Sequence, residues 1–366
     1  MWLLRFVSFR FTNTMAVVVS VSMWTPRLFL LLFLPFIDAI RQTLLSRSDF
    51  CSAGSAALFL PSSTWFTADV LTCSAVFLPR GGGLALPIYV GAATDPYYAI
   101  IDAGSPFLTA PSPSNTLPTM YPATTEQFGQ ATGTMQWRQA RSIRLGNRVF
   151  QAQNIILGVP DQGVIAGSGG IFLGLMQQDD YRPTLLQQLG YTGLCLDYVH
   201  RTLTLSRGSV LDKTDPRILQ LHNLSPFGPN LHHVAVLCSL VVLETTTGRR
   251  VTLHDTSRPV VVVLDSGLTG CIFSDSWKRD LPVEFGEITA ATLHLPTATV
   301  TSSSASSKVV LSSNDDYWYP TMFRLPWFTS DDHHPHIIAA GATFLSQSKL
   351  TVDWPQRIVK MEVYVD

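Results

Sequence analysis

The sequence predicts an all-β protein, mainly antiparallel and built as two β-rich lobes, and three observations predict it. The chain of 366 residues is longer than one core usually organises, since domains mostly hold about 100–200 residues. Short β-branched and aromatic runs separated by Gly, Pro, Asn or Asp recur throughout, whereas helical periodicity is rare. Charged residues make up only 14% of the chain, against about 25% in an average soluble domain, and 24 Gly with 23 Pro supply many turns. A hydrophobic content of 46% excludes a disordered regulator. With 25 basic and 26 acidic residues, the chain has no basic excess to track a phosphate backbone, so no nucleic-acid partner is expected.

The N-terminal part is the most apolar. Arg27 precedes the ten-residue run Leu28–Ile37, about right for the hydrophobic region of a signal peptide and about half of a membrane-spanning helix. Residues 1–40 are expected to be a signal peptide or signal anchor. They direct the chain into the secretory pathway, to a secreted, vacuolar, lysosomal or endomembrane destination, and an uncleaved anchor would attach it to the membrane. Residues 41–78, with only Arg41 and Arg47 as basic groups, are expected to be a pro-segment or N-terminal extension.

Strands are then expected at Ala85–Val90, Tyr97–Ile101, Ser142–Leu145, Gln153–Val159 and Thr202–Ser206, and after a gap at Ala235–Leu243, Val260–Leu264, Lys308–Leu311, Lys349–Trp354 and Ile358–Val365. Helices are expected only at Arg182–Gly190 and Asp275–Asp280. The polar stretch 207–229 separates the two groups of strands, which places one lobe at 79–206 and the other at 230–366.

Five cysteines, widely spaced, form neither a disulfide scaffold nor a paired zinc pattern, and no metal or cofactor is expected. In an oxidising compartment Cys51 with Cys73 and Cys238 with Cys271 are candidate disulfide pairs, with Cys195 left over. Five buried thiols are the alternative reading.

The informative signal is a repeat. Tyr97-Tyr98-Ala99-Ile100-Ile101-Asp102-Ala103-Gly104-Ser105 answers to Val260-Val261-Val262-Val263-Leu264-Asp265-Ser266-Gly267-Leu268-Thr269. In each lobe an apolar strand ends in a carboxylate, with a glycine two residues on that lets another backbone approach closely. Two such turns face to face would form a dyad. Adjacent carboxyls cannot both ionise, so they share a proton, and the pair can activate a water while polarising a carbonyl.

These motifs resemble those of the pepsin-like aspartic proteases. The run Asp102-Ala103-Gly104-Ser105-Pro106-Phe107-Leu108-Thr109-Ala110-Pro111-Ser112 is similar, without a gap, to the family's first aspartate motif. Asp265-Ser266-Gly267-Leu268 is similar to the second. Phe172-Leu173-Gly174 and Ala339-Ala340-Gly341 stand where the family threads a strand beneath each aspartate, and Gly341 to Ile358 looks like its closing strand pair. The resemblance spans about residues 80 to 366. It implies a bilobed fold with a cleft between the lobes and catalytic aspartates at Asp102 and Asp265. Support for the dyad would come from Gly104, Ser105, Ser266, Gly267 and Thr269. A flap carrying Phe128 and Gly129, together with Phe107 and Leu108, would line the substrate cleft.

Departures from the pattern accompany the match. The family's threonine after each aspartate hydrogen-bonds to the opposite lobe. Ala103 has no hydroxyl for this, while Ser266 does. Leu268 replaces a hydroxyl residue, with Thr269 next to it. Phe128 replaces the flap tyrosine and Thr109 its tryptophan partner; Trp137 is either a substitute or an ordinary half-buried strand residue. Two functions follow as expectations. One is an acidic aspartic endopeptidase, acting as a monomer on an extended peptide or protein. The other is an inactive protein of the same fold that binds a peptide or protein in the cleft.

Overall fold

The structure, a computed structural model, describes residues 4–11, 14–21, 70–78, 83–111, 118–128, 131–150, 155–160, 171–228, 231–253, 258–274, 276–277, 281, 283, 287–303, 320–323 and 334–364. The chain divides into two units, Met1–Phe59 and Leu60–Asp366. In the first, Leu4–Phe11 and Thr14–Val21 pair as an antiparallel hairpin, with Leu4 opposite Val21. The apolar run Leu28–Ile37 and Cys51 lie outside the described residues. Among the described residues no helix is long and apolar enough to cross a membrane.

The second unit contains both lobes. In the N-terminal lobe one sheet runs in the order Arg148–Phe150, Ile143–Leu145, Leu84–Val90, Tyr97–Asp102 and Phe172–Gly174. Against it stands a three-stranded sheet of Ile155–Pro160, Ala131–Ala140 and Thr119–Phe128, whose last two strands form a long hairpin. In the C-terminal lobe one sheet runs Ala235–Cys238, Val260–Leu264, His336–Ala340, Cys271–Ser274, Pro320–Phe323. A second runs Arg250–Leu253, Leu240–Thr245, Ile288–His294, Thr299–Ser303.

A six-stranded sheet joins the lobes, in the order Ile218–Gln220, Ile358–Val363, Ser348–Asp353, Gly193–Asp197, Thr202–Ser206, Val70–Ser74. Its central seam pairs Gly193 with Asp353 and Asp197 with Lys349, one strand from each side of the chain. Both hairpins of this sheet turn through a residue in the left-handed region, Arg201 at φ 53° and Arg357 at φ 54°. Each turn is held by an aspartate four residues earlier, Asp197 accepting from the His200 N–H and Asp353 from that of Gln356.

Several sequence boundaries move. Val70–Ser74, expected on the leader side of residue 78, is an edge strand of the joining sheet, and its alternating burial fits one covered face. Ile218–Gln220, inside the expected linker 207–229, pairs with Ile358–Val363 in the same sheet. The run Ala235–Leu243 breaks at Ser239, whose N–H goes to the His294 carbonyl, and its two halves enter different sheets. The helix expected at Arg182–Gly190 is shorter, Leu185–Leu189. Thr184 and Gln187 close a capping box at its start, and Gly190 at φ 72° ends it. A further helix, Ala342–Leu345, was not expected. Lys308–Leu311 lies outside the described residues, as does most of Asp275–Asp280.

The strands that end at the two aspartates are buried on both faces, which is why they read as continuous apolar runs. Burying each valine of Val260–Val263 stabilises the fold by about 1.5–3 kcal/mol relative to exposure. That core holds the ends of both strands rigidly in place.

Candidate active site

Each aspartate strand has a parallel neighbour beneath it. Phe172–Gly174 pairs with Ile100–Asp102, and His336–Ala340 pairs with Val260–Leu264. The loops that follow the aspartates are tied down in matching ways. The Gly174 N–H donates to the Phe107 carbonyl at 3.0 Å, and the Gly341 N–H to the Gly270 carbonyl at 2.8 Å. Phe107 and Gly270 are each five residues after their aspartate. Both Gly174 and Gly341 lie where a Cβ would collide with the passing loop backbone, so only glycine fits under either turn.

The two Asp-x-Gly turns meet. A Cβ on Gly104 would sit 2.6 Å from Asp265 Oδ1, and one on Gly267 would sit 2.7 Å from Asp102 Oδ2. Each glycine is thus the floor against which the opposite carboxyl lies. The Gly104 N–H donates to Asp102 Oδ1 at 2.8 Å, the Gly267 N–H donates to Asp265 Oδ1 at 2.9 Å, and the carboxyls hydrogen-bond to one another. The lobes are stitched here by Ser266, whose hydroxyl accepts from the Ala103 N–H at 2.9 Å and donates to the Ile101 carbonyl at 2.7 Å.

Both acids titrate above the ordinary carboxyl range. Burial is the leading cause for Asp102, offset by the nearby Ser105 hydroxyl, the Gly104 N–H and Asp265. Asp265 is raised further, by burial and then by the charge of Asp102. Both carboxyls are thus held toward the protonated form, and the pair can keep one proton between them. The Ser105 hydroxyl is buried beside Asp102 and favours its ionised form, although it completes no hydrogen bond of good geometry among the described residues. Below the dyad, Tyr198 is fully buried, with its hydroxyl near Ser266. Burial and the Asp265 carboxyl raise its pKa, and its oxygen likewise finds no well-formed partner.

The remaining expected residues fall into place unevenly. Leu268 N–H donates to the Asp265 carbonyl, and the Thr269 carbonyl accepts from Thr343 N–H, so both belong to the second turn. Phe107 and Leu108 do not line an open cleft. Leu108 is fully buried and bridges Leu173, while Phe107 is 6% exposed and packs with Met135, Trp137 and Ile156. The reason is that the chain after Asp102 dives under its own lobe, where the Gly174 hydrogen bond holds it. The Phe128 backbone closes the long hairpin opposite Ala131, whereas its side chain and Gly129 lie outside the described residues.

The expected pair Cys238 and Cys271 is not formed; both are free thiols, as are Cys73 and Cys195. Cys238 and Cys271 sit on strands with two others between them. At about 4.8 Å per strand that spacing far exceeds the reach of a disulfide. Burial raises the Cys271 thiol well above its ordinary value and pushes that of Cys238 up to about 11.

Sequence reasoning gave no role to Arg182, Glu126 or Tyr198. Their partners lie far along the chain, and no local motif marks them. Trp137, the alternative flap residue, is 1% exposed and stacks edge-on against Phe107 at 4.7 Å between ring centroids.

Two β lobes with an aspartate turn at the end of a buried strand in each, joined by a common sheet, define the bilobed pepsin-like fold. The solved structure of an aspartic proteinase from Irpex lacteus matches this chain with a TM-score of 0.52, covering 80% of this chain and 97% of that one. Only 11% of residues are identical, so the likeness is one of fold. No family model and no curated relative matches the chain.

Proposed function

We propose that the protein is an aspartic endopeptidase of the secretory pathway, acting at acidic pH on an extended peptide. The observation that carries this reading is the mutually hydrogen-bonded pair of buried Asp102 and half-buried Asp265, each lying against the other's Asp-x-Gly turn. The ionised member of the pair takes the proton of the attacking water. The other member, holding the shared proton, gives it toward the scissile carbonyl oxygen as the tetrahedral intermediate forms. The chemistry is carried by these two side chains.

A second reading is favoured by Ala103, which returns no hydroxyl across the lobes. On that reading the cleft binds a peptide or protein without cutting it. Cleavage of a denatured protein between pH 3 and 7, with and without pepstatin and beside Asp102→Asn, separates the two. Pepstatin-sensitive cleavage that the variant loses supports the endopeptidase. A folded but silent protein, before and after removal of residues 41–69, supports the binder.

A further inference from the structure

We propose that Arg182 is a positioning residue that clamps the hairpin Thr119–Phe128/Ala131–Ala140 to the loop after Asp102, in place of the absent tyrosine–tryptophan pair. This inference rests on the reading of the cleft as a peptide site.

The observations converge on one side chain. The Arg182 guanidinium lies 3.9 Å from the ring centroid of Trp137, in the second hairpin strand, and 4.8 Å from that of Phe107, in the loop after Asp102. Its Nη2 pairs with Glu126 Oε1 at 3.1 Å, in the first hairpin strand. Arg182 therefore touches both strands of the hairpin and the loop of the dyad at once. Its side chain is only 9% exposed, and a cation over an aromatic face is worth more when desolvated.

The rest of the clamp is organised around it. Trp137 Nε1 donates to Thr124 Oγ1 at 2.7 Å, and that hydroxyl donates to Glu126 Oε1 at 2.6 Å, so the tryptophan and the glutamate are fixed to one another across the hairpin. Arg182 itself is aimed by Asp179, whose carboxylate accepts the N–H groups of Tyr181 and Arg182 at 2.8 and 2.6 Å. On the other side, Phe107 is anchored through its carbonyl to Gly174, beneath Asp102. The stack thus connects the hairpin to the frame that carries the first aspartate. Glu126 is two residues from Phe128, where the hairpin reverses, so the pairing acts close to the tip.

The position normally held by the tryptophan is Thr109, which is turned inward to accept the Phe172 N–H at 2.8 Å, and Phe128 has no hydroxyl to offer. Trp137, Phe107 and Arg182 supply ring contact and charge from different places in the chain.

Hydrogen–deuterium exchange of the full chain tests the clamp without requiring activity. Arg182→Met and Glu126→Gln should each speed exchange in peptides covering 119–128 and 131–140, by about tenfold for Arg182→Met. Peptides from the joining sheet, Gly193–Asp197 and Ser348–Asp353, should be unchanged. Arg182→Lys, which keeps the charge but loses the plane, should fall between wild type and Arg182→Met. Unchanged hairpin exchange in folded variants overturns the proposal, as does acceleration spread evenly over the chain. Glu126 is 32% exposed at its side chain, so Glu126→Gln remains informative if Arg182→Met does not fold. A cleavage assay of the wild type runs beside this: a silent wild type with a responsive hairpin sinks the endopeptidase and keeps the clamp. A cutting wild type with an unresponsive hairpin does the reverse.

Discussion

Ser266 holds Ala103 across the lobe boundary, accepting its N–H at 2.9 Å while donating to the Ile101 carbonyl at 2.7 Å. Position 103 returns nothing, because its side chain is a buried methyl group. One hydroxyl therefore does the work that two would share in a symmetric arrangement. Ser266→Ala leaves a buried donor and a buried acceptor unmet and is expected to cost about 1–3 kcal/mol, read as a lower urea midpoint. An unchanged midpoint would mean that the lobes are held elsewhere.

The dyad also sets a pH dependence of stability. Asp265 titrates well above its ordinary 3.8 in the folded chain, so the folded state binds this proton more tightly than the unfolded state does. The resulting stability is fully present below about pH 3.8 and is lost as pH rises through the raised folded value. Asp102 shifts in the same direction. Asp265→Asn, neutral at every pH, is expected to flatten this loss. The check is the difference in urea midpoint between wild type and variant at pH 3.5 and at pH 7. A difference that stays constant as pH rises contradicts a raised, proton-sharing carboxyl pair.

Gly267→Ala places a methyl group against the Asp102 carboxyl. Since the neighbouring turn is fixed by backbone hydrogen bonds, the carboxyl must move. A displacement of about 1 Å is expected to weaken any activity or pepstatin binding by about 100-fold while circular dichroism stays native. Titration calorimetry with pepstatin gives the comparison, and equal affinity would show that the turn yields instead.

Tyr198 offers the opposite case. Its hydroxyl is buried without a well-formed partner, so Tyr198→Phe removes a desolvated group at little cost. The variant is expected to unfold within about 0.5 kcal/mol of wild type or later. A loss above about 1 kcal/mol in denaturant would reveal a hydrogen bond to Ser266 that the static structure does not form.

Alkylation in denaturant without reductant should label Cys73, Cys195, Cys238 and Cys271, the free thiols of the described residues. Recovery of a linked peptide joining Cys238 to Cys271 would contradict the strand order of the C-terminal lobe.

The dyad was legible because its signal is local and occurs twice. An apolar run buried on both faces must end somewhere, and an aspartate followed two residues later by glycine marks that end in each lobe. The fate of Phe107 and Leu108 was not legible, since the loop's path under Gly174 is decided by a hydrogen bond 67 residues away in the chain for Phe107. The break at Ser239 carries no glycine or proline signal; it arises because the His294 carbonyl captures the Ser239 N–H. Val70–Ser74 alternates as a half-buried strand should, but its partner Thr202–Ser206 is distant, and an adjacent leader-like region masked the pattern. Arg182 reads locally as the first residue of a helix, and only the folded chain brings Trp137 and Phe107 beneath it.

The joining sheet has a consequence for biosynthesis. Gly193–Asp197 leaves the ribosome long before its partner Ser348–Asp353 exists. At about 5–20 residues per second the wait lasts roughly ten seconds or more. Throughout it, an apolar strand presents unpaired amides at an open edge, a template for pairing with other nascent chains. A fragment ending at Gln220 should therefore sediment as oligomers unless a strand-length peptide spanning Ser348–Asp353 is added to occupy the edge.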